Sequence, residues 1–168
     1  MSIVVVMTSD WNARISQVWA DASGMAELDV VTAIDALVAE RAPDDAAAVF
    51  EAASARDYAG LEPQAEPLYR RAIELGLEDA VLPRATIQLA STVRNLGRPD
   101  EAVRLLEELL HEHPSDEWTG PAAAFLALAL ASRGDERDAA SVALAALANY
   151  LPMYGASVRG YAIELAER

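Results

Sequence analysis

Three hydrogen-bonding side chains share one face of a predicted helix near the middle of the chain. Gln88, Ser91 and Asn95 are spaced three and four residues apart, the interval at which helical side chains become neighbours. Arg94 lies beside Asn95 and has a planar guanidinium that suits a carboxylate. This group is predicted to hold a peptide backbone or a carboxylate. In the structural alternative, Arg94 pairs with an acid such as Asp57, and the two amides satisfy loop backbone groups.

The sequence contains no pattern that indicates catalysis or metal binding. The absence of cysteine excludes disulfides and thiolate chemistry. His111 and His113 are two residues apart, so on a helix they point to different faces and cannot chelate one metal as an i, i+4 pair can. They are interpreted as cations near a helix C-terminus. We therefore expect no catalytic residue, no metal, no cofactor and no enzymatic activity.

Charge and composition limit the partners and the fold class. The 27 acidic residues outnumber the 13 arginines, which gives a net charge of −14 and argues against binding to nucleic acid or to anionic membranes. Alanine occurs 36 times, and its high helix propensity and small size favour an all-α fold with close helix packing.

The apolar run 3–7 is too short for a signal sequence or a membrane span. Residues 1–10 are predicted to form a flexible tail, or Met7 is the true start, and the expected compartment is the cytoplasm.

Apolar periodicity and helix-capping signals predict nine helices and no strand. The predicted helices cover residues 11–21, 26–41, 45–56, 63–75, 83–96, 99–112, 121–133, 136–150 and 154–167.

A fixed period organises most of these helices into pairs. Gly60, Gly97 and Gly134 are 37 residues apart, and alanines follow each glycine five residues later. A period of this size is typical of stacked helical hairpins. Gly97 and Gly134 fall just after the first helix of a pair, where left-handed backbone angles are common. The predicted repeats cover residues 46–82, 83–119 and 120–153, with a capping helix at 154–168, all within one domain over 11–168.

The residues at these spacings resemble the tetratricopeptide repeat. The pattern is clearest in the second and third repeats, whereas in the first Arg56 replaces a large apolar residue. The matching positions are Ala52, Ala53, Gly60, Ala65, Tyr69 and Ala72 in the first repeat; Leu89, Ala90, Val93, Gly97, Ala102, Leu106, Leu109 and Pro114 in the second; and Leu126, Ala127, Leu130, Gly134, Ala139, Ala143, Ala146 and Pro152 in the third.

Stretches 87–97 and 150–154 are similar to a bacterial set known as tetratricopeptide repeat group five. The resemblance implies a right-handed superhelix of stacked antiparallel helix pairs. It also implies a protein-interaction role, with dimers as a further possibility.

In such an array the first helix of each pair lines the concave face, where a peptide or a partner protein would bind. Ser132 and Arg133 are further candidates at the end of the third repeat. The main candidate groove residues are Phe50, Ser54, Asp57, Tyr58, Arg84, Ile87, Gln88, Ser91, Arg94, Asn95, Phe125 and Leu128.

Two alternatives to a ligand-binding groove stay open. A homodimeric structural protein would use an exposed apolar surface, such as the predicted helix that carries Trp11 and Trp19. The last helix is predicted to cover the end of the third repeat with a stripe of four apolar residues, and its tyrosines could instead lean into the groove. The stripe consists of Tyr154, Val158, Tyr161 and Leu165.

Overall fold

The structure is a computed structural model that describes residues 2–113 and 117–167, with side chains from residue 10 onward. These residues form nine α-helices and two short 3-10 helices, Ala22–Gly24 and Ala148–Tyr150, and contain no strand. The α-helices are α1 (Ser2–Asp21), α2 (Glu27–Val38), α3 (Ala46–Tyr58), α4 (Glu62–Glu74), α5 (Leu82–Asn95), α6 (Pro99–Glu112), α7 (Thr119–Arg133), α8 (Glu136–Leu147) and α9 (Gly155–Ala166).

The predicted all-α fold is confirmed, and three helix boundaries differ from the prediction by more than two residues. Helix α1 begins at Ser2 rather than Trp11, and the division into tail and repeat domain stays a prediction. Helix α2 ends at Val38 because the next turns close through i→i−3 bonds ahead of Pro43. Helix α8 ends at Leu147 and continues as a 3-10 turn. Pro114 of the repeat pattern lies outside the described residues.

The three periodic glycines occupy the same kind of turn. Gly60, Gly97 and Gly134 have φ angles of +67°, +80° and +97°, which favour glycine. The residue after each glycine donates its N–H to the carbonyl five residues earlier, at 2.8, 3.0 and 3.0 Å. Each glycine N–H reaches the carbonyl three residues earlier, at 3.0, 3.0 and 3.2 Å. This double hydrogen bond is the Schellman motif that ends a helix, so the period corresponds to one repeated hairpin.

Contacts divide the chain into two compact units, Met1–Glu78 and Asp79–Arg168, which we call unit 1 and unit 2. In unit 1, α1 packs on α2, α2 on α3, and α3 on α4. Its core contains Trp11, whose indole N–H donates to the carbonyl of Leu37 at 2.8 Å, together with Val30 and Ile34, neither of which is exposed. The indole ring also lies under the guanidinium of Arg41, 5.0 Å from its centre. Trp11 thus anchors α1 to the end of α2.

An ion pair explains why the first repeat departs from the family pattern. Arg56 of α3 donates two hydrogen bonds to the carboxylate of Asp35 on α2, at 2.8 and 2.9 Å, and a third to the carbonyl of Ala52 at 3.0 Å. The arginine side chain is 20% exposed and the aspartate 43%. The guanidinium therefore joins two helices at the position where the other repeats use an apolar contact.

Arg56→Ala is expected to lower the free energy of unfolding by about 1–2 kcal/mol, because a two-pronged, half-buried ion pair is stronger than an exposed one. Urea denaturation followed by circular dichroism measures this loss. Arg14→Ala is the matched control, since Arg14 pairs with Glu40 between α1 and α2 with both side chains nearly half exposed. Arg14 lowers the pKa of the Glu40 carboxyl through their hydrogen bond. Equal losses in the two variants would contradict the structural role assigned to Arg56.

Unit 2 contains the second and third repeats and α9. Each helix from α5 to α9 packs on the next, and the first helices of the two repeats, α5 and α7, also contact each other. Small side chains permit this close packing, because Ala90 and Ala102 are completely buried at the helix crossings. Leu106 and Val93 fill the space between them with almost no exposed surface. Ala90 and Ala102, two of the alanines that match the repeat pattern, therefore lie in the core.

Candidate interaction surface

Two of the candidate groove residues of the first repeat belong to its hairpin core. Phe50 is only 2% exposed and packs on the ring of Tyr69 in α4, with ring centres 6.0 Å apart. Asp57 accepts a hydrogen bond from the Tyr69 hydroxyl at 3.3 Å. The prediction that Phe50 lines a groove is wrong, because its side chain faces the second helix of its own pair. Asp57 supports the same hairpin contact.

Helix α1 contacts one of the other two candidates of this repeat. Tyr58 packs edge-on against Trp19 at 5.9 Å, and its hydroxyl donates to the carbonyl of Ala22 at 3.2 Å, while 44% of its surface stays exposed. Trp19 also donates its indole N–H to Glu51 of α3, at 2.6 Å. Ser54 is only 3% exposed, so it does not line a surface. The sequence did not predict this contact between α1 and α3, because no local pattern around Trp19 indicates which helix it contacts.

The second repeat presents its predicted side chains more openly. Arg84 and Asn95 of α5 are exposed, and Ser91 and Arg94 are half-buried. Ile87 differs, since it is 5% exposed and belongs to the core. The guanidinium of Arg94 donates to the amide oxygen of Asn95 at 2.9 Å. Among the residues described in unit 2, no carboxylate pairs with Arg94, so its remaining donors are available to a ligand. Pairing with Asp57, which belongs to the other unit, stays a prediction.

Gln88 carries the most informative atom of this surface. Its side-chain oxygen Oε1 is inaccessible to water and has no hydrogen-bond partner among the described residues. An unpaired buried acceptor costs about 1–3 kcal/mol of stability. Gln88 was predicted to bind a ligand from its spacing to Ser91 and Asn95, but its Oε1 does not reach the surface and is not available to a ligand.

The third repeat continues the same positions 37 residues further along the chain. Phe125, Leu128 and Ser132 of α7 correspond to Gln88, Ser91 and Asn95 of α5. Leu128 is 48% exposed and Phe125 is half-buried. The Ser132 hydroxyl donates back to the carbonyl of Leu128 at 2.9 Å.

Because α5 contacts α7, these equivalent positions form one surface within unit 2. We call it the α5/α7 face. It consists of Gln88, Ser91, Arg94, Asn95, Phe125 and Leu128.

Arg133 does not belong to this face. Its guanidinium hydrogen-bonds Asp135, just after Gly134, and lies 3.9 Å from the carboxylate of Asp100 on α6. The hydrogen bond to Asp135 raises the pKa of Arg133. Arg133 therefore stabilises the turn of its own hairpin.

No group of three or more histidine, aspartate or glutamate side chains among the described residues could hold a metal ion. No helix in the described ranges is both long enough and apolar enough to cross a bilayer.

A family model connects this geometry with known proteins. The model of tetratricopeptide repeat group five, described as "Tetratrico peptide repeat", matches residues 46–165. The chain belongs to the tetratricopeptide repeat family. The match begins at the residue where the first repeat was predicted to start, and it extends through most of α9. The tetratricopeptide repeat chain matches no curated protein and no solved structure.

Proposed function

We propose that this tetratricopeptide repeat protein is a non-enzymatic interaction module that binds an extended segment of a partner protein on the α5/α7 face. Family membership supports protein interaction as its general role. The observation that carries the more specific proposal is the guanidinium of Arg94, which bonds Asn95 and pairs with no carboxylate among the residues described in unit 2. The cytoplasmic location expected from the sequence remains part of this proposal.

The neighbouring side chains define what such a peptide would offer. A guanidinium has five N–H donors, and one of those on Arg94 is used by Asn95. The others suit a peptide carbonyl or a carboxylate. Leu128 and Phe125 add an apolar area on the adjacent helix, against which an apolar side chain of the peptide would pack. The proposed ligand is therefore an extended peptide with one apolar side chain and a carboxylate.

Partner capture with the full chain tests this surface. The immobilised protein and the double variant R94A/N95A are exposed to a lysate, and the retained proteins are compared. The double variant N12A/R104A is the matched control, because it removes the same two groups from exposed positions of α1 and α6. We expect R94A/N95A to lose partners that the control keeps. Unchanged capture by a folded R94A/N95A protein would eliminate the α5/α7 face.

Gln88→Met tests the unpaired acceptor. The substitution keeps the length of the side chain and removes the unpaired oxygen, so the melting temperature should stay the same or rise. Partner capture should persist in the same variant, because Oε1 is inaccessible from the surface. A variant that melts at a lower temperature would show that Gln88 makes a contact on which the fold depends.

A homodimer is the second candidate function, and the C-terminal surface favours it. The segment 139–163 contains no acidic residue, and Arg159 is its one charged residue, although the whole chain carries a net charge of −14. The last helix does not cover the third repeat with the predicted tyrosines, since Tyr154 and Tyr161 are 72% and 69% exposed. Ala162 of α9 is fully buried instead. Trp11, one of the two residues predicted to form a dimer surface on α1, is only 5% exposed and belongs to the core of unit 1.

Seven large apolar side chains are exposed in this segment. They are Leu144, Leu147, Tyr150, Met153, Tyr154, Tyr161 and Ile163. Two copies could bring these surfaces together without opposing like charges, which elsewhere on so acidic a chain would repel.

Light scattering on the full chain decides between monomer and dimer. We expect a mass of twice 18.0 kDa for the native protein and a return to 18.0 kDa for Tyr161→Arg. Leu28→Arg is the control, because it also introduces an arginine at an exposed apolar residue, a leucine of α2 that is 63% exposed. A native protein that remains at the monomer mass at high concentration would remove the homodimer from consideration.

A further inference from the structure

A cavity of about 650 Å³ lies among α6, α7 and α8, entirely within unit 2. Leu110 closes one side, Leu126 and Ala123 form the α7 wall, and Val142 and Ala146 form the α8 wall. Its volume falls in the range of about 300–1,000 Å³ that is usual for small-molecule sites. None of the residues of the α5/α7 face lines it. The cavity is therefore separate from the proposed peptide surface.

A close approach of two residues shapes the mouth of this cavity. The Tyr150 hydroxyl lies over Gly120, 2.6 Å from the position that a Cβ would take, so a larger residue at position 120 would displace the tyrosine side chain. A second hollow of about 340 Å³ is also lined by Gly120, Tyr150 and Ala146. Because both hollows share these residues, Tyr150 stands where they meet. Its side chain is 72% exposed, so it can swing without disturbing the core.

Among the described residues, the lining carries no charged side chain, in contrast to the rest of this acidic chain. A charged ligand would lose its hydration on entering and find no counter-ion there. An uncharged ligand avoids that loss, and the aliphatic walls favour one that is mostly apolar. The charge pattern therefore indicates a neutral molecule.

Two hydrogen-bond donors at the cavity remain unused by the described residues. The amide oxygen of Asn149 accepts a hydrogen bond from Arg159 at 2.5 Å, and the amide N–H groups of Asn149 remain able to donate to another acceptor. The Tyr150 hydroxyl makes no hydrogen bond to a described residue. Thr119 is different, since its hydroxyl donates to the carbonyl of His113 at 3.1 Å. Two adjacent donors in an apolar cavity suit one acceptor oxygen on the ligand.

We propose that this cavity is a binding site for a neutral, mainly apolar small molecule that carries a carbonyl or ether oxygen. The apolar body fills the space between Leu110, Leu126 and Val142, and the oxygen accepts hydrogen bonds from Tyr150 and Asn149. This site goes beyond the proposed peptide binding and lies on other helix faces of the same unit.

Titration of the full chain with Nile red, a neutral dye with a ring carbonyl, tests the site by fluorescence. We expect saturable binding of one dye per chain. Tyr150→Phe removes only the hydroxyl and should weaken binding about three- to tenfold, the value of one hydrogen bond. Tyr58→Phe is the matched control, because it makes the same change on α3 of unit 1, away from the cavity, and its affinity should equal that of the native protein.

Two further measurements separate the cavity from the exposed apolar side chains of the C-terminal segment. Ala146→Phe should abolish dye binding by filling the space, and Ala146→Leu serves the same purpose if the larger side chain prevents folding. The anionic dye 8-anilinonaphthalene-1-sulfonate should bind at least tenfold more weakly than Nile red. Nile red binding that persists in a folded filling variant, an absence of binding to the native protein, or equal affinity for the anionic dye would each overturn the proposal.

Discussion

Tyr69→Ala is expected to lower the free energy of unfolding by about 3–5 kcal/mol, as truncation of a buried aromatic side chain does. Tyr69 has no exposed surface, although it ends in a polar group. Its ring packs on Phe50, and its hydroxyl donates to Asp57 at 3.3 Å. The substitution removes the ring contact between α3 and α4 and also takes the hydroxyl away from Asp57. Urea denaturation followed by circular dichroism at 222 nm measures the loss.

Two further variants show which part of Tyr69 matters. Tyr69→Phe keeps the ring and removes one hydrogen bond, so we expect a loss of about 1 kcal/mol. Leu28→Ala, at a leucine that is 63% exposed, should change stability by no more than about 0.5 kcal/mol. If Tyr69→Ala were as mild as Leu28→Ala, the packing assigned to the first repeat would be wrong.

Trp11→Ala is expected to have a similar effect, again about 3–5 kcal/mol, through the other end of unit 1. The indole is 5% exposed, donates to the carbonyl of Leu37 at 2.8 Å and lies under the guanidinium of Arg41. Its removal separates α1 from the end of α2 and leaves a large cavity. Thermal and urea unfolding by circular dichroism report the change without relying on tryptophan fluorescence.

Trp11→Phe distinguishes packing from hydrogen bonding at this position. Phenylalanine keeps most of the apolar contact, and the carbonyl of Leu37 still accepts a bond from the N–H of Glu40 at 3.1 Å. No buried acceptor is therefore left unpaired, and we expect a loss of about 1–2 kcal/mol. A loss as large as that of Trp11→Ala would mean that the indole N–H, and not the ring, holds α1 in place.

The period predicted the hairpins well because each turn is encoded by a few neighbouring residues. Gly97 shows this, since its positive φ angle follows from its position just after α5 and needs no information from distant parts of the chain. Ala102, which follows Gly97 at the interval shared by all three repeats, is fully buried. Local chemistry repeated at a fixed interval is the part of a fold that one sequence can reveal.

The surface was harder to predict, because a position within a repeat does not determine what lies beside it. Ser54, Ser91 and Leu128 are 37 residues apart and occupy equivalent places, yet they are buried, half-buried and exposed in turn. The pair of Arg56 and Asp35 shows the same limit, since it joins residues 21 apart on different helices without any recurring spacing. Such contacts depend on the helices that precede the first repeat.

The turns after the three periodic glycines also bear on how quickly the protein forms. Their closing hydrogen bonds span five residues, and the helices of each unit pack on the next helix or the next but one along the chain. Partners that are close in sequence meet with little loss of loop entropy, so such topologies fold in microseconds to milliseconds. A chain that folds this fast exposes its apolar helices only briefly after synthesis, which reduces their chance of aggregating.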